Sequence, residues 1–205
     1  MGPAGAEMKT LVLASGNAGK LKELQAMLGD LPLQIVAQGE LGVSDVPETG
    51  LTFVENALIK ARHASAVTGL PALADDSGLI VDALDGAPGL YSARYAGSPT
   101  NDAANNAKLL DALREVPANR RTARFYAVIV LLRHANDPQP LICEGSWEGV
   151  ILDETRGSNG FGYNPVFLDP THGLTAAEMD PAQKNAISHR ALALQLLKQK
   201  LPALL

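Results

Sequence analysis

Apolar residues recur along this chain at two different periods. Short, mainly apolar runs read as buried strands: Met8 to Ala14 (MKTLVLA), Leu33 to Ala37 (LQIVA), Leu70 to Ala74 (LPALA), Arg124 to Arg133 (RFYAVIVLLR) and Leu141 to Leu152 (LICEGSWEGVIL). Between them the apolar residues are spaced three and four apart, as one face of a helix requires. This spacing predicts helices over Lys20 to Leu28, from Thr52 to about Thr68, over Thr100 to Val116 and from about Ser188 to Lys200. Local stop and start signals agree. Thr52-Phe53-Val54-Glu55 has capping-box spacing and Gly69 stands where a helix would end. Strands and helices alternate early, whereas the two long strands follow one another across a turn at His134 to Pro140. The expected fold class is therefore α/β, with a mixed twisted central sheet and flanking helices.

Composition narrows the class. With 205 residues and 46% apolar content the chain can bury one ordinary core, so we expect a short leader at residues 1–7 and a single domain over 8–205. A net charge of -5 speaks against nucleic-acid or membrane-surface binding, so an anionic ligand would need a local cluster of cations. The one cysteine, Cys143, rules out an intrachain disulfide and a cysteine-rich zinc site, and is consistent with a reducing, cytoplasmic setting. No stretch near the start is apolar enough for a signal peptide or a membrane span.

Four segments hold candidate chemistry. Ser15-Gly16-Asn17-Ala18-Gly19-Lys20 lies between a predicted strand and helix, where backbone N–H groups and a lysine can meet a phosphate. It is not a Walker loop, because Ala14 stands where that motif has glycine and Leu21 where it has serine or threonine. Asp75 and Asp76 sit side by side where the third apolar run stops. Paired carboxylates there form either a solvated turn with Ser77 and Gly78 or a cation site. Neighbouring residues of a strand face opposite ways, so one Asp is expected on an ion and the other beyond its direct reach. Glu48, on a loop, is the further carboxylate; with no His/Cys ligand set, magnesium suits these oxygens best. The run from Gly157 to Pro165 (GSNGFGYNP) offers aromatic faces beside glycine, either as a stacking platform or as core filling. Lys184, His189 and Arg190 gather cations around a helix start that Ser188 can cap.

Taken in order, SGNAGK, ETGLTFVENALIKA, ADDSG, GAPGLYSARYAG, GFGYNP and KNAISHR resemble the inosine/xanthosine triphosphate pyrophosphatase family over nearly the whole chain from Met8. The resemblance implies an ITPase-like fold and a magnesium-dependent enzyme. It would hydrolyse noncanonical purine nucleoside triphosphates (ITP, dITP, XTP) to the monophosphate and pyrophosphate, and homodimers are the family habit. It also implies roles. Ser15, Gly16, Asn17, Ala18, Gly19, Lys20 and Lys60 would meet the phosphates. Asp76 would be the catalytic carboxylate and, with Glu48, a metal ligand, while Ser77 would touch the substrate. Phe161, Gly162, Tyr163 and Asn164 would hold the base, with Lys184, His189 and Arg190 completing the base and phosphate contacts. One position departs from the family pattern: Asn164 stands where an aspartate is usual, exchanging a charge for an amide that both accepts and donates. Two alternatives stay open at this point, a nucleotide pyrophosphatase of different base preference and a nucleotide-binding sensor without catalysis.

Overall fold

The computed structural model describes residues 7–204, so six of the seven leader residues lie outside the described part. Seven strands form one mixed, twisted sheet with flanking helices: β1 (Lys9–Leu13), β2 (Leu33–Ala37), β3 (Ala72–Val81), β4 (Thr122–Leu132), β5 (Leu141–Ile151), β6 (Phe167–Asp169) and β7 (Leu174–Thr175). Their order across the sheet is β2-β1-β3-β4-β5-β6-β7. β1 runs parallel to β2 and β3, with Leu11 opposite Ile35 and Val12 opposite Ala72, whereas the pairs β5/β6 and β6/β7 are antiparallel. Among the described residues there are five α-helices: α1 (Ala18–Leu28), α2 (Phe53–Thr68), α3 (Asp102–Ala112), α4 (Pro181–Ile187) and α5 (His189–Lys200).

The chain falls into two compact units. Among the described residues, one takes in 7–76, Val128–Cys143 and 193–204; the other takes in Ser77–Ala127 and Glu144–Leu192. In the first unit α2 lies against β1, and its Ala57, Ala61 and Ala64 are all fully buried. Alanine on that stripe lets the helix backbone approach the sheet closely at little entropic cost. In the second, Phe125, Trp147, Tyr163, Phe167 and Met179 build the core, with the Phe125 and Phe167 ring centroids 4.4 Å apart. Buried Arg121 closes the end of α3 by donating to the carbonyls of Leu113 (2.7 Å) and Val116 (3.0 Å), so the helix stops earlier than its apolar spacing predicts. Leu113 O also accepts from Val116 N at 2.9 Å, so the guanidinium adds a second donor to a turn that leads the chain out of the helix.

The third strand departs most from the sequence reading. It does not stop at Ala74 but runs through Asp75, Asp76, Ser77 and Gly78 to Val81, so the acidic pair lies within a strand and forms no turn. Local composition favoured a turn; burial of Leu79 and Val81, both fully buried in the second core, carries the strand onward. Two short strands, β6 and β7, and the short helix α4 also escaped the periodicity, being too brief to show a period.

Candidate active site

In the first unit the predicted phosphate and metal residues come together around two lysines. β1 ends at Leu13, buried Ala14 follows it, and Asn17 then caps α1, its side-chain oxygen accepting from the N–H groups of Gly19 (2.9 Å) and Lys20 (3.2 Å). Ser15 Oγ accepts from Asn17 N at 3.1 Å. The loop thus spends several amides on itself and delivers Lys20 in a fixed direction. The Lys20 ammonium meets both oxygens of Asp75, at 3.1 Å and 2.9 Å. Asp75 is only 6% exposed, whereas Asp76 is half-buried, as opposite faces of a strand require. A buried carboxylate is tolerable only when paired, and Lys20 is a partner for Asp75.

Lys60, on α2, donates to the Asp75 carbonyl at 2.6 Å and pairs with Glu48 Oε1 at 3.2 Å. One ammonium therefore brings Glu48 to the Asp75–Asp76 peptide. The loop bearing Glu48 is set by the start of α2. Thr52 Oγ1 accepts from Glu55 N (3.2 Å), Glu55 Oε2 accepts from Leu51 N (2.7 Å), and Asn56 Oδ1 accepts from Gly50 N (2.8 Å). This is the capping box read from the sequence, extended by one residue. Gly50 is needed for its lack of a side chain, since a Cβ there would sit 2.6 Å from Glu55 Cβ and 2.7 Å from Asn56 Oδ1.

In the second unit a separate group forms around the glycine-aromatic loop. Phe161 is 78% exposed, with the Lys184 ammonium 5.8 Å from its ring centroid. Tyr163 and Asn164 are buried, and Tyr163 donates its hydroxyl to the Ser92 carbonyl at 2.6 Å. Gly160 has φ +82°, and a Cβ there would run into the Asn164 amide. Ser188 caps α5, its hydroxyl accepting from Ala191 N at 3.2 Å, which sets His189 and Arg190 on the first turn. Ser77 is exposed at the beginning of this unit.

His189 stacks on Phe125, centroids 4.9 Å apart and planes 17° from parallel. Its Nδ1 is buried and has no hydrogen-bond partner among the described residues. Burial first, then the charges of Arg190 and Lys184, lower its pKa to about 4, so the ring is neutral at pH 7. A buried bare nitrogen is cheaper than a buried N–H without an acceptor, so the proton belongs on Nε2. The unfolded ring takes up a proton near pH 6.5 and the folded ring only near 4, so stability is complete above 6.5 and declines as pH falls towards 4. Urea unfolding at pH 7.5 and 4.5 should show the wild type losing up to about 3 kcal/mol more than His189→Phe, which lacks the group. Equal losses would refute the assignment.

The buried role of Asp75 and the supports of the glycine-aromatic loop had no motif to reveal them in the sequence. Asp75 and Asp76 differ in burial, and Asp75 is the one paired with Lys20. A carboxylate pair with carbonyl and water oxygens suits an octahedral hard cation that keeps several waters. Glu48 and Asp76 are the carboxylates that could serve such an ion, Glu48 being tied through Lys60 to the carbonyl of Asp75; among the described residues no three His, Cys, Asp or Glu group to hold a metal ion.

The model of the Ham1 family matches residues 11–200. The dITP/XTP pyrophosphatase of Xanthomonas axonopodis pv. citri is 82% identical over 197 residues, covering 96% of this chain and 99% of that protein. That of Escherichia coli O157:H7 is 60% identical over 190 residues, covering 93% and 96%. Among solved structures, a HAM1 protein from Coxiella burnetii superposes with a TM-score of 0.92 at 55% identity, covering 96% of this chain and 100% of that one.

Proposed function

Because this chain belongs to the Ham1 family, we propose that it hydrolyses dITP, ITP and XTP to the nucleoside monophosphate and pyrophosphate, clearing deaminated purines from the nucleotide pool of the cytoplasm. The observation that carries the reading is the pair of lysines held by carboxylates at one strand: Lys20 on Asp75, and Lys60 on Glu48 and the Asp75 carbonyl. A sensor needs cations for phosphate; it does not need acids set among them.

Lys20 and Lys60 offset the charge that builds on the leaving pyrophosphate, and Ser15, whose oxygen already accepts from Asn17, can donate its own proton to a phosphate oxygen. Asp76 orients a water for attack on the phosphorus and takes its proton. Magnesium, held by Glu48 and Asp76, would supply neutralisation of the phosphate oxygens. Phe161 offers a face to the base, Asn164 an amide oxygen to its N1–H, and His189 Nε2–H or Arg190 a donor to its O6. Lys184, beside Phe161, meets the nucleotide from the same side as the base loop. A homodimer is the expected assembly.

Asp75 gives a prediction of its own. Asp75→Asn leaves Lys20 without its charged partner, so triphosphate binding should weaken by about tenfold while the metal requirement stays as it was. A magnesium titration of pyrophosphate release checks this, and a shifted metal midpoint would make Asp75 a ligand. The reading as a whole is tested by pyrophosphate release from ITP, dITP, XTP, GTP, dUTP and ATP, with and without magnesium. ITP, dITP and XTP should lead, and release of inorganic phosphate alone would overturn the reaction type.

A further inference from the structure

Phe161 presents a puzzle: a ring that is 78% exposed is not held in place by packing, yet it would serve as the face for a base. Its direction must come from its backbone. That backbone lies between two glycines in the left-handed region, Gly160 at φ +82° and Gly162 at φ +62°, which by themselves leave the segment free to swing. The first turns of α3 remove this freedom. Asp102 Oδ2 accepts from Gly162 N at 2.9 Å, and Asn106 Nδ2 donates to Gly162 O at 2.9 Å. The peptides on both sides of Gly162 are thereby fixed, one leading from Phe161 and the other into Tyr163. Asn106 is 7% exposed and gives its amide hydrogens to Gly162 O and, at 3.0 Å, to Asp102 O. Its own oxygen is left buried without a partner among the described residues. Turning the amide over would set that oxygen against two carbonyls. The orphaned acceptor is thus the consequence of holding Gly162, and such unmet groups in native structures call for a reason.

We propose that Asp102 and Asn106 are positioning residues for base selection, acting through Gly162 on Phe161 and on Asn164. The proposal rests on the reading of this loop as the base site. Asp102 is exposed on the first helical turn, where a carboxylate is favoured by the helix dipole, so its replacement removes a charge-assisted hydrogen bond without opening the core.

The test measures kcat/KM for ITP and ATP, inhibition by inorganic pyrophosphate, and thermal midpoint, for wild type, Asp102→Ala and Asp102→Asn. In Asp102→Ala the ITP value should fall by about 10- to 100-fold, the size of one charge-assisted hydrogen bond, and the ITP-to-ATP ratio should fall with it. Pyrophosphate inhibition should stay within about twofold of wild type, and the thermal midpoint should fall by no more than about 10 °C, the most that one such hydrogen bond carries in a chain of this size. Asp102→Asn, which keeps an acceptor oxygen, should recover most of the selectivity. An unchanged ratio in Asp102→Ala, or equal losses for ITP, ATP and pyrophosphate, would overturn the proposal while leaving the reading intact. A wild type that prefers neither ITP nor XTP, or cleaves no triphosphate, overturns the reading and the proposal with it. Should Asp102→Ala not fold, Asp102→Ser, whose shorter side chain draws the acceptor back from Gly162 N, gives the same ratio test, and an unchanged ratio there overturns the proposal.

Discussion

Asp76→Asn should reduce magnesium-dependent pyrophosphate release by about 10³-fold, the size expected when a general base is lost, while the fold persists. The substitution is close to isosteric, and Asp76 is only half-buried within β3. An amide carries no charge to hold a hard cation and is a poor proton acceptor, so water orientation and metal affinity fail together. Asp75→Asn alters the same short peptide yet should do far less damage, because that carboxylate is spent on Lys20. The contrast between two adjacent aspartates makes the test sharp: circular dichroism and thermal midpoint should match wild type in both, and turnover only in one should collapse. Near-normal turnover in Asp76→Asn would remove it from the catalytic role.

Selection of the base should show the second large effect. A 6-oxo purine presents an acceptor at O6 and a donor at N1, and adenine presents the reverse, so a site built on these bonds can favour ITP over ATP by about 10⁴-fold. Neutral His189, with its proton on Nε2, is a donor that cannot switch to an acceptor there without burying an unmet N–H at Nδ1. His189→Phe keeps a ring to stack on Phe125 and removes only the donor. Its kcat/KM for ITP should fall by about 100-fold with ATP little changed, compressing the ratio. Because the ring is already neutral well above its pKa of about 4, the wild-type ratio should be flat between pH 6 and 8. A ratio that moved with pH in that range would put a titrating group in the base site; an unchanged ratio in His189→Phe would hand the role to Arg190.

Whatever depends on near neighbours in the chain was legible in the residues themselves. Thr52 and Glu55 announced the start of α2 and Gly69 its end, Ser188 announced α5, and the 3.6 and 2.0 periods placed most of the long elements. The alternation of strands and helices was enough for the fold class, and the ordered motifs were enough for the family. Tertiary structure decided the rest. Ala74-Asp75-Asp76-Ser77-Gly78 has the composition of a turn, but burial of Leu79 and Val81 draws it into β3 and sends Asp75 inward. Which of two identical side chains becomes Lys20's partner depends on strand direction and on a lysine 55 residues away, neither of which is local. The hold of Asp102 and Asn106 on Gly162 spans 60 and 56 residues. A hydrogen bond between a side chain and a distant backbone leaves no period and no motif, because a backbone amide is the same at every residue, and only folding decides which one is met.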